Sequence, residues 1–275
     1  MTWSIHRVSL ATHDLAKAET FFGPHLGLGK PVHIDANTIA FGRGSRGLRV
    51  RKPARVLTRS ACELLGAAGA RHVAIEVEDL NQVATRLDNA AIAHVPALAG
   101  DFDVPALYTL DPASNVVAFC QRVASETAGD AIQPWEAAWG WGVHHVNLQA
   151  CDVREAVAFY VEVAGMAEGR WRAPAAMGDF SIDPTQLSVL ALGKFNRGLH
   201  IINPDPGFAH RNGFAHNPSI GGHPAFFVPD VKAVKARLQG AGILVSDAKV
   251  YAMAGMHQIY VQDPSANMIE VNQFV

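Results

Sequence analysis

The sequence repeats itself, and the repeat sets most of what the chain can fold into. D-P-A-S-N-V-V-A-F-C-Q at 111–121 returns as D-P-S-A-N-M-I-E-V-N-Q at 263–273. Upstream of each copy a histidine stands seven residues before an aspartate: His72 and Asp79 in one, His223 and Asp230 in the other. The segment I-H-R-V-S-L near the N-terminus matches V-H-H-V-N-L, with His6 against His144 and Asp14 against Asp152. Every copy has the same order: a short strand, an aspartate able to cap a helix, an amphipathic helix, then roughly three strands between turns. Val73, Ile75 and Val77 alternate with His72, Ala74 and Glu76, while Leu15, Ala18, Phe21 and Phe22 keep helical spacing. Units of this kind bury their apolar faces on one another. Four of them in 275 residues predict an α+β chain of two domains, 1–121 and 141–275. Residues 122–140, rich in Ser, Thr, Gly, Asp and Pro, read as the linker, with Trp135, Trp139 and Trp141 expected to anchor it by packing.

Within that frame, helices are expected after Asp14, Asp79, Asp152 (with Glu155 as a capping box) and Asp230, and Gly165 should stop the third. Strands are expected around 31–34, 38–41, 48–51, 72–77, 107–110, 116–120, 180–182, 187–192, 199–202, 225–228, 258–261 and 268–272. Residues 204–222 form a long irregular stretch just before His223, and such loops are uncommon unless functional. Composition excludes several classes. Charged residues make up 17% and the formal net charge is −2, which gives no basic footprint for nucleic acid. Cys62, Cys120 and Cys151 are an odd set without a CxxC pair, which suits no disulfide scaffold. No basic-then-apolar leader opens the sequence and no apolar run reaches about 18 residues, so no membrane span and a cytoplasmic location are expected.

Three residues carry the chemistry. His145 and His223 lie near the starts of matching strands, and Glu270 sits inside the apolar strand M-I-E-V. Two imidazoles and one carboxylate are the ligand set of a mononuclear iron site with open positions. Either histidine alone could be a hydrogen-bonded core residue, but a carboxylate in an apolar strand is costly unless paired or metal-bound. In the first pair of copies Arg7 stands against His145 and Ala118 against Glu270, so only His72 of the set remains there. The chemistry is therefore expected in the C-terminal half. Strand alternation sends His144 to the face opposite His145, in a structural role like that of His6.

The opening H-V-x-L…D, the recurrent D-P-x-x-N and the closing I-E-V resemble the vicinal-oxygen-chelate superfamily, and within it the two-domain extradiol ring-cleavage dioxygenases. The resemblance covers nearly the whole chain. It implies four βαβββ modules paired into two domains, each a half-open mixed β barrel with outer helices. It implies that His145, His223 and Glu270 hold Fe(II), with Mn(II) as the other candidate. It implies a small catechol-type aromatic diol and O2 as substrates, with both oxygen atoms inserted as the ring is cleaved. Tyr260, ten residues before Glu270, takes the place of a tyrosine that hydrogen-bonds the bound substrate or oxygen. His200, in G-L-H-I-I-N, takes that of an acid/base histidine, a role for which His210, His216 and His257 compete. These three, with Tyr251, Phe208, Phe214, Phe180 and Trp171, are the expected substrate contacts. A homo-oligomer is expected from size and fold type. One departure stands out: Ala266 occupies a turn position usually held by glycine, so either the turn is altered or Asn267 takes the left-handed conformation. The other readings are a glyoxalase-like metal-dependent isomerase or lyase, where an isomerase would want one more basic carboxylate, and a non-catalytic binding protein of the resistance type.

Overall fold

A computed structural model describes residues 3–52, 71–123 and 138–275; Cys62, Trp135 and most of the expected linker lie outside the described residues. Each half of the chain builds one mixed sheet. The first contains β1 (Trp3–Ala11), β2 (Val32–Asp35), β3 (Thr38–Phe41), β4 (Gly47–Arg51), β5 (His72–Val77), β6 (His94–Pro96), β7 (Ala106–Leu110) and β8 (Val116–Gln121), in the order β2-β3-β4-β1-β5-β8-β7-β6. The second contains β9 (Gly142–Gln149), β10 (Leu187–Ala191), β11 (Gly198–Ile202), β12 (His223–Phe227), β13 (Ser246–Lys249), β14 (Met256–Gln262) and β15 (Met268–Phe274), in the order β10-β11-β9-β12-β15-β14-β13. Helices α1 (Leu15–Thr20), α2 (Leu80–Asn89), α3 (Val153–Ala164), α4 (Phe208–Arg211) and α5 (Val231–Gly240) complete the α+β fold. None of the described helices is long and apolar enough to cross a membrane.

The repeated aspartates explain why the helices start where they do. Asp14, Asp79, Asp152 and Asp230 each accept the backbone N–H three residues on, from Lys17, Gln82, Glu155 and Ala233. Gly165, at φ 64°, ends α3 in the left-handed conformation. One expected strand is absent: residues 180–182 run as a loop. The reason is local, since the Asp183 carboxylate accepts from Thr185 N at 2.8 Å and folds the chain into a turn. Only an isolated bridge between Glu168 and Leu190 marks that edge. Two short edge strands, β6 and β13, carry too little apolar alternation to be read from sequence.

Each sheet has one face on a core and one face that carries polar groups. Ile5, Val8 and Leu10, and likewise Val143, Val146 and Leu148, pack into the core. Their spacing of three and then two marks a β-bulge in β1 and again in β9, where the pairing register shifts at His6–Arg7 and at His144–His145. The bulge corrects the expectation from alternation. His144 does not leave for the opposite face; its Nδ1 lies 2.8 Å from Nδ1 of His145.

The D-P-x-x-N turns join the halves reciprocally. Asn115 donates to the Gln149 carbonyl at 3.1 Å and Asn267 to the Ala11 carbonyl at 2.8 Å, the matching ends of β9 and β1. In both turns the residue before the asparagine adopts positive φ, Ser114 at 65° and Ala266 at 63°. Alanine itself therefore supplies the conformation expected of glycine or of Asn267. Asn115→Ala and Asn267→Ala should each lower stability by about 1–2 kcal/mol, because each deletes a hydrogen bond and strands a carbonyl. Urea denaturation midpoints read this, and unchanged midpoints for both variants would show that the crossing bonds do not hold the halves together.

Candidate metal centre

Three adjacent strands, β9, β12 and β15, bring the candidate ligands together. Ala225 on β12 pairs with His145 on one side and Glu270 on the other, and His223 lies two residues back on the same face. One nitrogen from each histidine and a carboxylate oxygen lie within 4.8 Å of one another, and all three residues are buried. Nε2 of His145 is 3.4 Å and Nε2 of His223 is 3.6 Å from Glu270 Oε2. Adjacent donors on bonds of roughly 2.1 Å stand about 3 Å apart, so a small contraction closes the set on one divalent ion. The methyl group of Ala225 is the one side chain in the row between His145 and Glu270, and it leaves room above it. Two imidazoles and one carboxylate form a divalent-metal triad suited to Fe(II) or Mn(II), with further coordination positions open.

The surroundings hold Glu270 and His223 in their binding forms. Burial alone would raise the Glu270 carboxyl, but His145 and His223 outweigh it and hold the group well below the usual carboxylate range. Burial lowers His223 against the pull of Glu270, which favours the neutral imidazole that a metal needs. Glu270 Oε1 is occupied by two amides, Gln258 Nε2 at 3.2 Å and Asn272 Nδ2 at 3.0 Å, which leaves Oε2 facing the histidines. Gln258 also donates to the Tyr260 hydroxyl at 3.1 Å, and Tyr260 pairs directly across from Glu270 on β14. Burial, and then the carboxylate, push the Tyr260 phenol well above its ordinary value, so it stays protonated. A hydrogen bond donated to the Pro218 carbonyl steadies His223, and Asn147 Nδ2 lies 2.9 Å from His223 Nε2. Gln258→Leu should weaken metal binding by about 10- to 100-fold, since outer partners of a ligating carboxylate carry that much. Competition with a chelator measures this, and wild-type affinity would show that the amide does not orient Glu270.

Two of the three, His145 and Glu270, open on a pocket with an empty volume of about 670 Å³ counting its mouth, while His223 stands behind them. Trp171, Phe180, Leu187, Phe208 and Met253 line its apolar wall, and His200, Tyr260 and Asn147 face it beside the triad. The stretch 204–222 contributes Asp205, Phe208, Pro218 and Ser219 to the wall. His200 stacks on the His145 ring at 3.9 Å and meets Trp171 edge-on at 4.7 Å. Its Nε2 is bonded to the Asn196 carbonyl, so Nδ1 carries the lone pair. Burial, and then His145, hold it well below the ordinary histidine value, and it is neutral at pH 7. Phe214 and Tyr251 form a layer behind the wall, 6.2 Å from Tyr260 and 5.8 Å from Phe208 respectively, and do not line the pocket. His216 is bonded to Ser246 and His257 to Asp247, while His210 is exposed on α4; none of the three lines it. Sequence reasoning passed over Ala225, Asn147, Gln258 and Asn272. A period of two would have found them, since each stands two residues from a singled-out residue on the same strand.

The first sheet shows the same frame with different contents. Arg7, Ala74, Ala118 and Tyr108 form the row that His145, Ala225, Glu270 and Tyr260 form in the second. The Arg7 guanidinium bonds His72 Nε2 at 3.1 Å and the Asp101 carbonyl at 2.7 Å, and lies 4.0 Å from the Phe102 ring centre. Burial lowers its pKa to about 10, so it remains charged at neutral pH. A covalently attached cation thus stands where the second sheet has its triad.

Residues 142–271 match the model of the Glyoxalase/Bleomycin resistance protein/Dioxygenase superfamily. No protein of curated function matches the sequence significantly. Among solved structures, a Mn(II)-bound glyoxalase from Novosphingobium aromaticivorans is 18% identical with a TM-score of 0.63, over 98% of this chain and 81% of that one. A halotolerant catechol dioxygenase is 16% identical with a TM-score of 0.65, over 99% and 87%. The 2,2',3-trihydroxybiphenyl 1,2-dioxygenase of Sphingomonas wittichii strain RW1 is 13% identical with a TM-score of 0.61, over 98% and 91%. At these identities the likeness establishes the fold.

Proposed function

We propose, from a chain whose C-terminal half belongs to the glyoxalase, bleomycin resistance protein and dioxygenase superfamily, that the protein is an Fe(II)-dependent extradiol dioxygenase cleaving a catechol-type aromatic diol. The observation that carries this reading is a buried His145–His223–Glu270 triad, of which His145 and Glu270 line an aromatic-walled pocket. In this reading the chain is two domains of paired βαβββ modules, each a half-open barrel, and only the second keeps its ligands. Bound iron would bring the diol and O2 together and pass electrons between them. The protein does the rest. Trp171, Phe180 and Phe208 sandwich the ring and exclude water. The Tyr260 hydroxyl donates a hydrogen bond to a substrate oxygen. In this reading His200 Nδ1 takes a proton from the diol, and its neutral state suits that task.

The glyoxalase-like reading asks for a second carboxylate base. Asp205, the other acid on the pocket wall, is paired with Arg211, which favours ring cleavage over isomerisation.

Among the described residues, no lysine or arginine lines the pocket. A carboxylate on the substrate would be desolvated there without a partner, at a cost of several kcal/mol. The Fe(II) protein should therefore consume oxygen with alkyl- or aryl-substituted catechols, with kcat/KM at least about 100-fold higher than for catechols bearing a carboxylate. An oxygen electrode and the visible absorbance of the ring-opened product measure both. A preference for carboxylated diols would contradict the pocket chemistry, and absence of uptake with every diol would contradict the dioxygenase reading.

A further inference from the structure

The polar face of the second sheet continues past the triad to the far ends of β9, β12 and β15. A separate cavity with an empty volume of about 890 Å³ counting its mouth opens there, lined by His144, Lys194, Phe195, Arg197, Phe227 and Phe274. It shares no lining residue with the pocket above the triad. We infer that this rear cavity binds a small carboxylate with an apolar body, held by the His144 imidazole and the basic hairpin between β10 and β11.

The first observation is an unmet hydrogen-bonding group. Nε2 of His144 is fully buried and has no hydrogen-bond partner, and such groups in native proteins have a reason. Its proton can be placed. A His145 that binds metal through Nε2 carries its proton on Nδ1, which donates to Nδ1 of His144 at 2.8 Å. The proton of neutral His144 then sits on Nε2, as a donor in want of an acceptor. This step rests on the metal site proposed above.

The second observation is the internal repeat, which shows what belongs at this place. In the first sheet the hairpin G-R-G-S-R-G at 42–47 matches G-K-F-N-R-G at 193–198, His6 matches His144, and Glu76 matches Phe227. The Glu76 carboxylate bonds Nδ1 of His6 at 3.0 Å, pairs with Arg46, and accepts from Ser4 Oγ at 2.8 Å. The second sheet keeps the imidazole, and Lys194 and Arg197 keep the basic hairpin, but the acid has become phenylalanine and Ser4 has become Gly142. Among the described residues, none of those lining the cavity is acidic. His6 meets its acid through Nδ1 and reaches Ser45 Oγ through Nε2 at 2.7 Å, whereas Nδ1 of His144 is held by His145, so a carboxylate from solution would meet His144 at Nε2. Phe274, 5.1 Å from Phe195 and 6.0 Å from Phe227 between ring centres, completes an aromatic wall for its apolar body.

Benzoate is the probe, with benzamide as its uncharged analogue, titrated calorimetrically into the zinc-loaded and the metal-free protein. Benzoate should bind at one site, about tenfold or more tighter than benzamide, because the acceptor is charged. Phe227→Glu installs the internal acid of the first sheet and leaves the triad in place, so it should abolish benzoate binding while zinc content stays at wild-type level. Lys194→Met, an exposed substitution, should weaken benzoate by about three- to tenfold. In histidine-labelled protein, benzoate should shift the His144 Nε2–H resonance. Benzoate binding to Phe227→Glu with wild-type affinity would put the ligand on the metal or elsewhere and overturn the inference. So would equal affinity for benzamide, or no binding below about 10 mM. If Phe227→Glu does not fold, Lys194→Met and the His144 resonance decide. A protein that takes up no zinc but still binds benzoate at His144 would separate failure of the metal site from failure of this cavity.

Discussion

Glu270→Gln should empty the metal site and leave the sheet standing. The amide keeps the size of the side chain and still offers an oxygen to Gln258 and Asn272, so packing around β15 is preserved. What it loses is the negative charge that two neutral imidazoles cannot supply. Affinity for Fe(II) should fall by about a thousandfold, or ~4 kcal/mol, and oxygen uptake with it. The melting temperature of the metal-free protein should move by no more than a few degrees. Metal analysis after anaerobic dialysis, paired with a circular dichroism melt, separates the two effects. Full metal content in the variant would remove Glu270 from the ligand set. Collapse of the metal-free fold would mean that the carboxylate serves packing instead.

Ala225→Leu should lose the metal with all three ligands present. Ala225 pairs with both His145 and Glu270, and its side chain points to the face they share. Three added carbons would enter the space where the ion must sit. Overpacking costs about 1–3 kcal/mol of stability, which the sheet should survive. Metal affinity should drop by at least about 100-fold, and Ala225→Gly should bind normally. Isothermal titration with Mn(II) measures both variants. Equal affinity for the leucine variant would place the ion away from this row of the sheet.

The sequence held more of this fold than of its site. Four capping aspartates and two D-P-x-x-N turns repeat as printed patterns, and each does in the structure what its chemistry dictates. The bulges were also legible: Ile5 to Val8 and Val143 to Val146 are spaced by three where a regular strand would show two. Reading plain alternation across that gap is what misplaced His144. Residues 180–182 looked like a strand because Phe and Ile were counted without the turn that Asp183 and Thr185 make just beyond. The support around the triad was harder to see. Pro218 reaches His223 from a stretch without periodicity, so only the folded chain shows the contact. Gln258 and Asn272 are ordinary polar strand residues until the register of β14 and β15 pairs them with each other, two residues along from Tyr260 and Glu270.

Isotope labelling tests the central claim most directly. The Fe(II)-loaded protein, made anaerobically, would be given a neutral substituted catechol and 18O2, and the product mass measured. Two labelled atoms in the ring-opened product are expected, with one O2 consumed per diol, and neither event in His223→Ala. A product without label, or a diol recovered unchanged from protein that holds its iron, would contradict a dioxygenase acting at His145, His223 and Glu270.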